Sequence, residues 1–593
     1  MNMRKNTIFL LILSLCLGSI SLQAQQAPNI IIVITDDQGK NDLSCEGNPY
    51  IKTPNIDQFY SEAVRLTDFH VSTTCAPSRG ALLTGRHTNR LNVHHTIAGR
   101  SILFEDEVLL PEILAANGYT NGHFGKWHLG DNYPYRPMDR GFHEVVRHGG
   151  GGITQGPDFW GNDYFDDTYW HNGQPQAYEG YCTDVFFDEA LDFIDKNKDQ
   201  PFFCYISTNA PHGPLNVPEE YMDLYKDESE LSEGTKRFYG MITNIDDNFS
   251  RLRNKLEELE ISDNTILIFM TDNGTAGGNR VYDAGMSGHK GSVMEGGHRV
   301  PFYIKWPARG IEGGKEVNQL TAHFDVLPTL VELADLKFNP QKTLDGQSLR
   351  PLLEGNGADT WPNRLLYVDT QRVLDLTKYK DYSVMDQNWR LVNGDQLYHM
   401  PSDLKQEKNV IAEHPEVAER MALGYEKWWE SIMNEENTGD YAYIKVGTVY
   451  ENPSRIAAHD LLTGDLKRGW HQFGAIKPET ASGFWKLEFV SGGTYKISLR
   501  RFPRESGLGI NETFAAQQAD RRIEQLAPAS TKSDFAEAYL SLAGFKKTSP
   551  ITAGAEEVSF EMEISEGKYD VEARLIDELG RYYPAFYMYV EKK

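Results

Sequence analysis

The chain has 593 residues, 40% hydrophobic, 11% aromatic and 24% charged. That length divides into two to four domains at ~100–200 residues each, and the composition excludes a disordered or fibrous chain. A formal net charge of −26 excludes a general nucleic-acid binder, which needs a basic face against phosphates. A local cluster of Arg, Lys and His can still offer a positive cleft to a small anion.

Arg4 and Lys5 open the chain, and an apolar run from Ile8 to Leu22 ends at Leu22-Gln23-Ala24. This predicts a secretory signal peptide over residues 1–24, too short and wrongly flanked for a stable membrane span. Cys16 inside the run admits a lipoprotein, although Leu15 before it is bulkier than such processing prefers. The expected location is the periplasm or the outside. Cys45, Cys75, Cys182 and Cys204 then remain, and in an oxidising compartment they can form bridges or stay buried thiols.

"NIIIVITDDQG" (29–39), "PFFCYISTNAPHGP" (201–214) and "NTILIFMTDNGT" (264–275) are apolar runs that end in polar residues. Continuous apolar runs predict strands of a parallel sheet buried on both faces. Between them, "GTKRFYGMITNIDDNFSRLRNKLEELE" (234–260) repeats its apolar residues along one helical face. The alternation predicts an α/β catalytic domain over 27–345. A smaller α+β piece follows over 346–435, and "ENTGDY" (436–441) reads as a linker. From 442 to 593 the apolar–polar alternation, with turns at Gly pairs, predicts an all-β sandwich.

Ligands of open α/β sheets gather beyond the carboxyl ends of the strands. There the sequence places Asp36, Asp37, His212, Asp272 and Asn273. The carboxylates and the amide are hard oxygen donors suited to Ca²⁺ or Mg²⁺, and equally to helix caps and turns. "GKWHLG" adds Lys126 and His128 on one side of an extended segment, "APHGP" holds His212 in a Pro-flanked loop, and "GHKGSVMEGGHRVP" puts Lys290 in a Gly-rich loop. "VSTTCAPSRGALLTGR" (71–86) carries a lone Cys75. No second cysteine lies near enough for a zinc knuckle or a redox pair.

These blocks resemble the type I sulfatases of the alkaline-phosphatase-like superfamily. "CAPSRGALLTGR" matches the C-x-P-x-R signature and the L-T-G-R after it. "TDDQG", "GKWHLG", "TDNG" and "KGSVMEGGHRVP" match in the expected order. The resemblance covers roughly residues 27–435 and extends to secreted bacterial carbohydrate sulfatases. It implies a mostly parallel mixed sheet flanked by helices, with the α+β subdomain and the sandwich appended.

The resemblance further implies that a formylglycine-generating or sulfatase-maturating enzyme oxidises Cys75 to Cα-formylglycine. Asp36, Asp37, Asp272, Asn273 and the modified Cys75 would hold one Ca²⁺. Arg79 would hold the modified side chain, and Lys126, His128, His212 and Lys290 would surround the sulfate. One hydroxyl of the hydrated aldehyde attacks sulfur, and the other later expels sulfate, an exit that plain Cys or Ser lacks. His212 or Lys290 would protonate the leaving alkoxide, with His128 assisting the diol. The helix expected from "SRGALLTGR" would turn its N-terminal amides towards the anion.

The expected substrate is a sulfated carbohydrate of galactose or N-acetylgalactosamine type, cleaved by an exo-acting enzyme. "GGGITQGPDFWGNDYFDDTYWHNGQ" (150–174) is Gly- and aromatic-rich, suited to a sugar site or to a packed loop. His94, His95, Trp160, His171 and Arg372 are candidates for the pocket rim. Trp470, Trp485 and Tyr583 are candidate sugar contacts of the sandwich. Three rival readings remain: a phosphonate or phosphodiester hydrolase with the same modified residue, a degenerate glycan-binding protein, and a cysteine-nucleophile hydrolase.

Overall fold

The computed structural model describes residues 27–464, 469–513, 515–530 and 532–593. The signal peptide and Cys16 lie outside the described residues. No helix among the described residues is long and apolar enough to cross a membrane.

The three apolar runs form strands Asn29–Thr35, Phe202–Ser207 and Thr265–Thr271, with every residue buried. They lie at the centre of a ten-stranded sheet. Asn29–Thr35 pairs in parallel with both of the others, and Thr120–Gly125 and Glu144–Arg147 extend the parallel set. Shorter antiparallel strands close the edges, including Phe302–Lys305 on one side and Thr168–His171 on the other. Helices cover both faces. Cys182–Asn197 and Glu233–Glu258 pack in one apolar core, while the helices Cys75–Thr84, Leu110–Ala116 and Val326–Leu333 share the other.

Register decides what meets at the strand ends. Thr35 lies opposite Thr271, and Gly125 opposite Ser207. The residues that follow, Asp36, Asp272 and Lys126, therefore leave the sheet at one level. Asp37 turns there with φ of 68°, a left-handed conformation that non-glycine residues seldom adopt.

A four-stranded antiparallel sheet spans Leu366–Asp369, Tyr382–Met385, Trp389–Val392 and Gln396–His399. The helix Pro415–Met433 covers it with Tyr425, Trp428 and Trp429. The segment read as a linker is docked: Asn437 bonds Asp106, and the Arg100 guanidinium lies 3.7 Å from the Tyr441 ring centre.

From Ile444 onward the chain forms two β-sheets of six and four strands around one core. Alternation puts Trp485, Leu487 and Phe489 from one sheet against Ile497, Leu499 and Val590 from the other. Trp485 is fully buried and donates its indole N–H to Ala457 O at 3.0 Å, and the Tyr583 ring packs edge-on against Phe535. The sandwich therefore spends these two expected sugar contacts on its own packing. Cys45, Cys75, Cys182 and Cys204 are unbridged.

Candidate active site

The helix Cys75–Thr84 begins on the motif cysteine itself, three residues earlier than the sequence suggests. Pro77 falls in its first turn, where the missing N–H has no partner to lose. Gly85, with φ of 69°, ends the helix as a left-handed cap. Cys75 thus stands at the positive end of a buried helix, facing the strand-end carboxylates.

Donor atoms of Asp36, Asp37, Cys75 and Asp272 all lie within 4.8 Å of one another. Asn273 joins them by donating to Asp37 Oδ1 at 3.1 Å. Three cations answer the three carboxylates. Arg79 donates twice to Asp272 Oδ2, at 3.0 and 2.8 Å, and also reaches Ser207 Oγ. Lys126 Nζ is 2.5 Å from Asp36 Oδ2, and Lys290 Nζ is 2.5 Å from Asp37 Oδ1 and 3.4 Å from Cys75 Sγ.

The balance is incomplete in one respect. Asp36 Oδ1 and Asn273 Oδ1 are buried without a hydrogen-bond partner among the described residues. Orphaned buried oxygens are costly, and here they belong to a set of hard oxygen donors. The set fits a divalent metal. Asp272 reports the same frustration: burial and then the Asp36 charge raise its carboxyl to about 6. Burial pushes Asp37 the same way, but Lys290, His212 and Lys126 outweigh it and hold its carboxyl well below the usual range. Three carboxylates against three cations sum to zero, so a divalent cation leaves a positive centre for an anion.

His212 stands 3.9 Å from Asp37 Oδ2, its carbonyl held by Tyr164 Oη at 2.9 Å. Burial, with Lys290 and Lys126 nearby, lowers its imidazole to about 3 despite Asp37. His128 lies on a left-handed residue with φ of 64°, not on an extended segment. That twist bonds Nε2 to Thr96 O at 2.8 Å and leaves Nδ1 buried without a partner. The imidazole leans on Gly151, where a Cβ would sit 2.1 Å from the ring. Burial and the Lys126 charge hold it well below its ordinary pKa. Burial and the Asp36 charge push the Cys75 thiol up to about 12, which leaves little thiolate at neutral pH and speaks against a cysteine nucleophile.

A cavity of about 660 Å³ opens over Cys75, lined by His95, Thr96, Ile97, His128, Gln155, His212, Lys290, Arg372, Gly464 and Trp470. The structure therefore brings His95, Arg372 and Trp470 to the centre. His94 turns away and bonds Val373 O at 3.2 Å. Trp160 packs edge-on against Phe502 in the sandwich core, 5.3 Å between ring centres. His171 pairs with Glu144 at 2.7 Å, on the strand next to the sheet edge. The glycine- and aromatic-rich segment is mostly packed loop, with Tyr164 and Tyr169 buried. What it gives the cavity is Gln155, which the sequence reading missed. Thr96 and Ile97 were missed as well: they carry no chemistry that singles them out before the fold places them.

Residues 28–336 match the Sulfatase family, and residues 288–423 match N-sulphoglucosamine sulphohydrolase, C-terminal. Mouse N-acetylgalactosamine-6-sulfatase is 32% identical over 382 residues, 59% of this chain and 71% of that protein. Human arylsulfatase A is 32% identical over 381 residues, 58% and 71% of the two chains. The crystal structure of Ps i-CgsB in complex with k-i-k-neocarrahexaose is 28% identical with a TM-score of 0.63, covering 70% of this chain and 95% of that one. The chain belongs to the sulfatase family, and its activity is that of a sulfuric ester hydrolase.

Proposed function

We propose that the chain is a Ca²⁺-dependent, exo-acting carbohydrate sulfatase in which position 75 carries formylglycine. The observation that carries this reading is the ring of Asp36, Asp37, Asp272 and Asn273 around Cys75, with two buried oxygens left for a cation. These residues would hold the metal, which when bound supplies positive charge beside the nucleophile and the sulfuryl oxygens. The hydrated aldehyde supplies a nucleophile that can also release its product.

The rest falls to the chain's own side chains. Arg79, tied to Asp272, orients the start of the helix and keeps the centre cationic. Lys126 and Lys290 are fixed against carboxylates, so their ammonium groups need no reorganisation when charge builds on the transferring group. His212 and Lys290 face the cavity, and one or the other would protonate the leaving oxygen, with His128 assisting the diol. His95, Arg372, Gln155 and Trp470 line the side where the sugar would lie. The substrate class, galactose- or N-acetylgalactosamine-type sulfated glycans, is supported by N-acetylgalactosamine-6-sulfatases and a neocarrahexaose complex among the relatives. Export to the periplasm or beyond, maturation by a formylglycine-generating enzyme, and division at 27–345, 346–435 and 442–593 complete the proposal.

The test is intact mass of the peptide holding position 75, from cells that make the maturing enzyme, with turnover of 4-nitrophenyl sulfate. Cys75→Ala should abolish sulfate release without changing the thermal unfolding midpoint by more than a few degrees. Near-wild-type turnover in that variant sinks the mechanism. Rates on aryl sulfate well above those on aryl phosphonate separate this reading from the phosphonate hydrolase.

A further inference from the structure

The cavity over Cys75 does not end at the sulfate centre. It shares Gln155, His212 and Trp470 with a second cavity of about 700 Å³. Each is of the size that encloses a small ligand, so one sulfated sugar in the first leaves the second vacant. The far wall of the second comes from residues 469–479 and 524–528, beyond both spans matched by the family comparisons.

That wall is fixed to the catalytic domain. Gly156 N donates to Trp470 O at 2.9 Å, and Gln472 N to Thr154 O at 3.1 Å. Thr154 Oγ1 and His471 Nε2 are 2.7 Å apart. On the opposite side Val217 N donates to Arg522 O at 3.0 Å, and Glu524 N to Asn216 Oδ1 at 2.8 Å. Two segments of the C-terminal region thus complete a cleft begun by the catalytic domain. Its lining mixes apolar faces (Trp470, Phe473, Leu526) with polar tips (Lys477, Gln525). Apolar ring faces cover the C–H faces of a sugar, and polar tips meet its hydroxyls.

We propose that this second cavity is a subsite for the sugar linked to the sulfated residue, so that the enzyme acts on oligosaccharides in preference to monosaccharides. The proposal rests on the carbohydrate-sulfatase reading above. Binding energy from the neighbouring sugar, remote from sulfur, would be realised in the transition state and raise kcat/KM.

The experiment compares kcat/KM on three probes: 4-nitrophenyl sulfate, sulfated monosaccharides (galactose 4-sulfate and N-acetylgalactosamine 6-sulfate), and the matching carrageenan and chondroitin 6-sulfate oligosaccharides. Wild type should prefer at least one oligosaccharide over its monosaccharide by about tenfold or more, the equivalent of about 1.4 kcal/mol. Lys477→Ala and Gln525→Trp, both at exposed positions, should reduce that preference while leaving aryl sulfate turnover within about twofold. The tryptophan narrows the cleft, and the alanine removes a polar tip. Aryl sulfate turnover in each variant reports a working sulfate centre, so failure on the glycans falls on the second cavity alone. A panel in which no oligosaccharide outperforms its monosaccharide, or variants that slow all three probes equally, overturns the proposal.

Discussion

Among the described residues, two buried clusters offer metal-type donor atoms at close range, and they differ in how far those atoms are already satisfied. The first is Asp36, Asp37, Cys75 and Asp272; the second is His70, Glu295 and His298. Both border a cavity, since Asp68, Arg299 and Arg390 of the second network line one of about 810 Å³. The difference lies in satisfaction. In the second network His70 bonds Asp68 at 3.0 Å and His298 at 2.9 Å, and His298 bonds Val293 O at 3.1 Å. Arg390 reaches Glu295 at 2.6 Å and Asp68 at 3.2 Å, and Arg299 reaches Glu295 at 3.2 Å. Two guanidinium groups take the role an ion would otherwise play, and none of these side chains is left with a partnerless buried atom. In the first cluster Asp36 Oδ1 remains open, and so does Oδ1 of the adjoining Asn273. Donor proximity alone does not define a metal site.

Metal removal is the sharpest way to break this contrast. Chelation with EGTA should cost several kcal/mol of transition-state stabilisation, a loss on the order of 10³-fold in sulfate release, restored by added Ca²⁺. The thermal midpoint should fall with it, because a ligand that binds only the folded state stabilises by mass action. Unchanged activity after verified metal removal would place the first cluster with the second. Arg390→Met probes the other side. Arg390 lies on the strand Trp389–Val392 and ties the small antiparallel sheet to Asp68 and Glu295 of the catalytic domain. Removing one partner of a buried ion pair costs about 3–5 kcal/mol. The midpoint should drop strongly while kcat of the folded fraction holds. A loss of kcat at unchanged stability would mean that this network belongs to the chemistry.

The strand-end placement of the first cluster's carboxylates was legible because a buried parallel strand must be a continuous apolar run; that they join Cys75 in one site was implied only by the resemblance to the sulfatases. Asp36, Asp37, Asp272 and Asn273 could be placed at strand ends without coordinates. Their unclaimed oxygens could not, since these depend on what Arg79 and Lys126 do across the sheet. The second network was not legible at all: Asp68, Glu295 and Arg390 are spread over the chain, with no periodicity to join them. Trp160 was a candidate for the pocket rim and Trp485 for a sugar contact, with packing the open alternative for both; composition does not tell an aromatic in a core from one at a rim, and both found cores. Trp470, the one that reaches the sulfate cavity, comes from the region that reads as an appended sandwich. His128 escaped its expected geometry because a left-handed residue turns its ring towards Thr96, and nothing in "GKWHLG" announces that twist.

The smallest expected effect is a pH dependence of the satisfied network. Burial alone would raise the Glu295 carboxyl, but Arg390, His70 and Arg299 outweigh it and bring it from an ordinary 4.5 to about 2. A carboxyl depressed in the folded state contributes stability that is fully present above the unfolded value, near pH 4.5. That contribution is lost as pH falls towards about 2. Glu295→Gln removes the ionisation, so its cost should be largest at neutral pH, about 1.5–3 kcal/mol for a hydrogen bond to a charged group. The difference in urea midpoint between wild type and this variant should then narrow steadily from pH 4.5 downward. Both proteins should be measured in EGTA, so that metal binding at the first cluster does not enter. A difference constant across that range would show that Glu295 gains nothing from its charge.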